Sequence, residues 1–302
     1  MTITDSELLR RFSDYIIFEK RLSEKTREAY SREAAFFLDY LGGKGIAPED
    51  ARPALIEEYA LFRKGEGANE RTISRILSSL RCFYSFLSAI SVSSVNPASL
   101  VPKPREKEHL PKTIGKDEIN DLLEAFDKGD PLSLRDYTLF ELIYSSGMRI
   151  SEAIALDVGS YDSRERVISV IGKRDKERKV FIGDIAASAL DYYISGIRPL
   201  LISRKKKESA LFLNRRGERM TRQAAHKRFH EVASGLGMDV TIHTLRHSFA
   251  SHMIQNGADI RSVQEMLGHS DIKTTQIYTH LDTSSLLSAF DRFSPVSGKK
   301  TK

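Results

Sequence analysis

The sequence predicts a mainly α-helical protein with one small β-sheet, built as two domains, and three observations lead there. Apolar residues recur at three- and four-residue spacing through most of the 302 residues, and a 40% hydrophobic content is enough to close two cores. That pattern is interrupted by NPASLVPKPREKEHLP at 96–111, whose four prolines and five charged residues resist helix and sheet alike. Two β-branched runs, at 167–171 and 179–182, flank the polar turn GKRDKER and predict a hairpin. The boundaries that follow are a helical domain at 1–96, a linker at 97–111, and a larger α+β domain at 112–302 with a last helix at 285–293.

In the first domain Leu8, Leu9, Phe12, Tyr15, Ile16 and Phe18 line one face of a helix. Ser23 opens a second helix, which runs through Ala34, Phe37 and Leu41 to Gly42-Gly43; Pro53 starts a third with Leu55, Ile56, Tyr59 and Phe62. A fourth spans Thr72 to Ile90 and turns Ile73, Ile76, Leu77, Leu80, Phe83, Tyr84 and Leu87 inward. In the second domain Gly115 precedes a helix whose Glu118 can reach back to cap it, and another covers 133–145 and stops at Gly147. MRISEAIALDV is helical next, which puts Arg149 at a helix start, with Glu152 and Asp157 as local ion-pair candidates. After the hairpin come a helix from Ile185 to Ile202, a β-like stretch at 210–213, and a helix capped by Thr221.

From His243 the chain reads HTLRHSFASHMIQNGADIRSVQEMLGHSDIKTTQIYTH. Its periodicity sets His243 and Arg246 one turn apart at the start of a helix that Gly257 ends. Asp259 caps a shorter helix, Gly268 stops it before His269, and a third segment carries Tyr278. Ser284-Ser285 open the final helix, with Leu286, Leu287, Ala289, Phe290 and Phe293 as its stripe; the tail GKKTK is expected to be disordered.

Composition narrows the function. Cys82 is the sole cysteine, which excludes an internal disulfide and fits a reducing cytoplasm; its neighbours suggest a buried site. No run is apolar enough to span a membrane and the start MTITDSELLRRF lacks a leader, so a soluble cytoplasmic protein with no membrane partner is expected. Residues 1–103 hold 15 Lys/Arg against 14 Asp/Glu, whereas 172–228 hold 16 against 6. That concentration of positive charge is a footprint for a polyanion. Lys25, Arg27, Arg71, Arg75 and Arg81 in the first domain could touch phosphates or simply solvate their helices; Lys25, Arg71 and Arg75, with Arg174, Lys176, Arg178 and Arg222 in the second, are the candidate DNA contacts.

Two imidazoles, two arginines and a tyrosine form a set able to bind and attack a phosphate. A phenol near pKa 10 needs cationic surroundings to act as a nucleophile, and Arg149, Arg246, His243 and His269 can supply them. The same guanidiniums suit the added charge of a pentavalent phosphorus. A leaving 5′-oxygen needs a proton, which a lysine at the hairpin tip can donate. No acidic cluster suits Mg²⁺ and no phosphate-binding glycine loop is present, while His226 and His230, four apart, lack a third ligand. Metal-free phosphoryl transfer without a cofactor is the expected chemistry.

The segments SSGMRISEA, GKRDKERKV, HTLRHSFASHM and LGHSDIKTTQIYTH resemble the signatures of the tyrosine recombinase (phage integrase) family, most closely its Xer branch. SEKTREAYSREAAFFLDYL and RTISRILSSLRCFYSFL resemble that branch's helical, SAM-like core-binding domain, so the resemblance spans the chain. It implies an α+β tyrosine recombinase catalytic domain in which Tyr278 is the nucleophile, forming a 3′-phosphotyrosyl link. Arg149 and Arg246 would clamp the phosphate, Lys173 would be the general acid, and His243 and His269 would assist. It further implies a clamp on duplex DNA, a terminal helix docked on a neighbouring subunit, and four protomers on two sites. The tetramer would be of one chain or shared with a paralogous recombinase, with a DNA translocase as activator, and the role would be chromosome-dimer resolution at a dif-like site. Arg174 stands where the family usually has glycine, which leaves Lys176 in competition with Lys173; Ser146 replaces a commoner threonine. Two other readings are a type IB topoisomerase-like DNA-relaxing enzyme and a DNA-binding protein without chemistry.

Overall fold

The computed structural model describes residues 4–104, 113–171, 177–202, 208–268 and 283–296. The chain divides into two compact units, Met1–Glu108 and His109–Lys302.

The first unit is all helix: α1 (Asp5–Asp14), α2 (Glu24–Gly42), α3 (Pro53–Gly65), α4 (Glu70–Ala89) and the short α5 (Pro97–Leu100). The expected cap Ser23 is in place, accepting from Thr26 N, while α4 starts two residues earlier than expected, capped by Asn69, which accepts from Thr72 N. Phe12, Phe37, Tyr59, Phe83 and Tyr84 are completely enclosed, each side chain contributing about 1.5–3 kcal/mol of burial.

Several expectations for this unit change. Directly after α1 the chain makes a π-helical turn, Tyr15–Glu19, which buries Tyr15 and Ile16 but leaves Phe18 75% exposed. The wider turn breaks the 3.6-residue stripe. Phe62 also faces outward, and Cys82 is half-buried. The predicted linker begins too early, because Asn96 caps α5, and Ala98 and Val101 are buried in the first unit's core. Arg81 anchors that segment by donating to Ala98 O (3.0 Å) and Val101 O (2.6 Å), so it is a structural residue and no surface cation. Proline at the first turn of a helix costs nothing, since the missing N–H has no partner there.

The second unit comprises α6 (Lys116–Glu124), α7 (Pro131–Ser146), α8 (Ile150–Ala155), a three-stranded antiparallel sheet and six further helices. The sheet runs β1 (Tyr161–Asp162), β2 (Val167–Ile171), β3 (Glu177–Phe181), with Ser169 opposite Lys179. The helices are α9 (Asp184–Tyr192), α10 (Arg198–Leu201), α11 (Arg222–Gly235), α12 (Ile242–Gln255), α13 (Ile260–Met266) and α14 (Thr283–Phe293). Where one helix was expected over 185–202, a π-helical turn at Tyr193–Ile197 intervenes, next to Pro199, which has no N–H to continue the ladder. Ala210–Leu213 is fully buried but makes only single bridges, Asp157 with Ala210 and Leu213 with Arg219.

Helix α7 runs through the middle of this unit, with nearly every residue from Ser133 to Ser146 buried. Its buried Asp136 is held by Arg135 (2.5 Å) and Arg228 (3.1 Å). Among the described residues Glu141 has no such partner. It is 4% exposed, its Oε1 makes no hydrogen bond, and burial pushes its carboxyl up to about 7. The folded form therefore prefers the protonated acid, so stability is full below the unfolded pKa near 4.3 and is lost as pH rises toward 7. We expect Glu141→Gln to remove that decline and to raise stability at pH 8 by on the order of 3 kcal/mol. Thermal melts from pH 4 to 8 check this; parallel pH profiles for variant and wild type would sink it.

In the single chain helix α14 closes its own core. Phe290 is 4% exposed against Phe181 and Phe249, Val296 packs on Gly183, and Asn256 Nδ2 donates to Phe293 O (2.8 Å). The apolar stripe explains it, because Phe290 finds an apolar wall within the same unit.

Candidate active site

Three chain turns build the site. The first is the end of α7, where Gly147 adopts φ 63° and a Cβ would sit 2.5 Å from the Phe249 ring. Glycine is required there twice over, for the left-handed backbone and for the close approach. The turn delivers Arg149 as the residue capping α8, with its N–H bonded to Glu152 Oε2 (2.8 Å).

The second is the start of α12, capped by Thr241, which places His243 and Arg246 in its first two turns. Arg246 points inward and is only 7% exposed. The third is the end of α13, which Asp259 caps by accepting from Ser262 N (2.9 Å) and Gly268 stops at φ 65°. A helix end leaves carbonyls without intrahelical partners, and two arginines take them. Arg246 donates to Leu267 O (2.7 Å) and to Gly147 O (2.5 Å), while Arg149 donates to Gly268 O (3.3 Å). Neighbouring carbonyls thus gather guanidiniums that are about a hundred residues apart in sequence.

One carboxylate lies among them. Glu152 Oε1 accepts from Arg149 (3.0 Å), and both its oxygens accept from Arg178 of β3 (3.1 and 3.0 Å). Burial raises its pKa, yet the bonds from Arg178 and Arg149 outweigh this and hold the carboxyl below its usual range. Three guanidiniums against one carboxylate leave the pocket positive. Burial first, and then Arg149, push Arg246 down to about 10, which still keeps it charged at neutral pH. An anion is the natural complement of such a group of cations. His243 is exposed at the mouth of the site, and its pKa is lowered by partial desolvation, then by His226 and Arg222, so the ring is neutral at pH 7 and available to accept or donate a hydrogen bond.

The structure therefore brings together Arg149, Arg246 and, one turn away, His243. Lys173, Arg174, Lys176, His269 and Tyr278 lie outside the described residues. Lys25, Arg71 and Arg75 are exposed on the first unit, the last two beside a groove shared with Tyr30, Asn69 and Ser78. Arg222 is exposed at the start of α11, 3.4 Å from His226 Nε2. Arg178, another of the candidate contacts, has its side chain 20% exposed and bound to Glu152. The Glu152 contact to Arg149 was legible from the three-residue spacing. Its second partner, 26 residues away across the sheet, carried no local signal. Asp157, the other candidate, pairs with Arg219 instead (2.5 Å). Among the described residues no three of His, Cys, Asp or Glu converge to hold a metal, and none of their helices is long and apolar enough to cross a membrane.

Residues 112–285 match the Phage integrase family and residues 9–89 its N-terminal SAM-like domain. The chain belongs to the phage integrase family, within its Xer-type tyrosine recombinases, which makes it a DNA strand-exchange enzyme. Tyrosine recombinase XerD of Listeria monocytogenes serotype 4b is 37% identical over 96% of this chain and 99% of its own length. Tyrosine recombinase XerD of Pseudomonas aeruginosa is 36% identical over 98% and 99%. The fold is shared with XerH site-specific recombinase bound to palindromic difH substrate in a post-cleavage complex, at TM-score 0.71 and 22% identity over 96% of this chain and 85% of that one. The Tn1549 transposon integrase in complex with circular intermediate DNA gives TM-score 0.72 at 19% identity over 95% and 99%.

Proposed function

We propose that the chain recombines duplex DNA at a dif-like site, resolving chromosome dimers, through a covalent tyrosine intermediate. The observation that carries this reading is the convergence of Arg149 and Arg246 on the end of α13, directly before the segment that holds His269 and Tyr278. The Tyr278 phenolate attacks the scissile phosphorus, a bond from phosphorus to the tyrosyl oxygen forms, and the bond to the 5′-oxygen breaks. That oxygen takes a proton from Lys173, or from Lys176, and leaves as a 5′-hydroxyl. The two guanidiniums, each with five N–H donors in a fixed fork, stabilise the extra charge on the non-bridging oxygens while one or two donors stay anchored to carbonyls. His243, neutral at pH 7, hydrogen-bonds the phosphate or handles the nucleophile's proton, with His269 alongside. Attack of a 5′-hydroxyl from a second duplex reverses the chemistry and completes exchange.

Exchange between two duplexes requires four active sites, so the working form is a tetramer of this chain or of this chain with a paralogous recombinase. A DNA translocase is the proposed activator. Lys25, Arg71 and Arg75 on one unit, and Arg174, Lys176 and Arg222 on the other, are the proposed backbone contacts, consistent with residues 172–228 being strongly basic.

The test is a nicked suicide duplex carrying the genomic sequence that the chain selects. A protein–DNA adduct that resists denaturation and forms equally well in EDTA is expected. A reaction abolished by the chelator would overturn the metal-free mechanism, and site-independent relaxation of supercoils by a lone subunit would favour the topoisomerase-like reading.

A further inference from the structure

We propose that Arg178 is a positioning residue for cleavage: it holds Glu152 from the sheet side and so fixes the guanidinium of Arg149, without touching DNA. The proposal rests on the assignment of Arg149 to the phosphate clamp. The geometry has three parts. Arg178 grips Glu152 with a two-pronged pair of bonds of 3.1 and 3.0 Å, one to each carboxylate oxygen. Each of those oxygens also serves Arg149, Oε1 accepting from its guanidinium (3.0 Å) and Oε2 from its backbone N–H (2.8 Å). Finally, the Arg178 guanidinium lies flat against the turn that ends α13, where a Cβ on Gly268 would come within 2.9 Å of its Cζ. The carbonyl of that same Gly268 receives the other bond from Arg149 (3.3 Å). Both anchors of Arg149 are thus braced by one side chain.

The consequence follows from counting lone pairs. A carboxylate has about four acceptor sites, and Arg178 takes one on each oxygen. Arg149 is left with a single side-chain bond to Glu152 and keeps most of its five donors for an anion. Without Arg178, Glu152 is free to pair with Arg149 in the two-pronged geometry that guanidinium and carboxylate prefer, which draws Arg149 off the phosphate. Glu152 is 9% exposed by side chain and Arg178 20%, so this competition happens where water screens little. Because β3 carries Arg178, this strand is tied directly to the arginine clamp.

The experiment uses the full chain and three readouts: cleavage rate on the nicked duplex at saturating protein, Kd for the intact duplex with its salt slope, and the thermal midpoint. Arg178→Met, which keeps the stem but loses the fork, is expected to slow cleavage about 100-fold, the scale of a misplaced reacting group. Its Kd is expected to stay within about twofold, with an unchanged salt slope. Arg178→Lys is expected to recover part of the rate. Glu152→Gln is expected to be slow as well, and the double variant no slower than the slower single one, because both act through Arg149. A Kd weakened with the salt slope reduced by about one would make Arg178 a phosphate contact and overturn the proposal. Losses that multiply in the double variant, or a rate loss that disappears at a temperature where both proteins are fully folded, would overturn it too. Should Arg178→Met not fold, the same criteria apply to Arg178→Lys. Failure of the underlying site shows differently, as a wild-type chain that forms no adduct at all.

Discussion

Tyr278→Phe is expected to abolish the covalent adduct on a nicked duplex while leaving binding to that duplex unchanged. The substitution removes one oxygen and keeps the ring, so any contact that the ring makes survives and only the nucleophile is lost. No other described group near the clamp can substitute. His243 is a neutral imidazole, and Tyr144, a phenol close to α12, is buried, bonded to His252 Nδ1 (3.1 Å), and has its pKa raised by burial. The measurement is denaturing electrophoresis of labelled DNA beside a binding titration. An adduct at wild-type yield would remove Tyr278 from its role.

Arg246→Lys is expected to be nearly as severe, and for two separable reasons. The guanidinium spans Gly147 O and Leu267 O from a position 7% exposed to solvent. A lysine offers a compact ammonium that cannot hold two carbonyls and present a flat fork to a phosphate together. One carbonyl is left without its partner, at about 1–3 kcal/mol, which lowers the melting midpoint by several degrees. In the reaction the loss of a preorganised donor set should cost about 10²–10³ in cleavage rate. Rates measured well below the variant's own midpoint separate the two effects. A rate within threefold of wild type at that temperature would show that Arg246 serves only to tie α7 to α13.

The two substitutions differ in how legible their sites were. Tyr278 belongs to a motif that chemistry and resemblance single out before any fold is known. Arg246 was chosen for the same reason, but its burial and its carbonyl partners belong to the folded chain. Helix starts were readable because capping is local: Ser23, Thr221 and Asp259 each begin a helix within a few residues of their own position. Local rules misread the chain where a local preference met a distant partner. Pro97 looked like a breaker, yet it starts a helix held down by Arg81 from α4.

By itself the sequence determined the class of the protein and most of its helices, and it named the candidate reacting groups, because residue chemistry and periodicity are properties of the chain. Only the tertiary structure decided that Arg149 and Arg178 share one carboxylate and that Arg149 and Arg246 share one helix end. The contacts that bring them together from elsewhere join residues 21 to 119 positions apart, and no spacing along the chain can encode them. The same packing made Glu141 an acid of raised pKa and bound Arg178 to Glu152, since burial and partners are set by what the fold brings alongside.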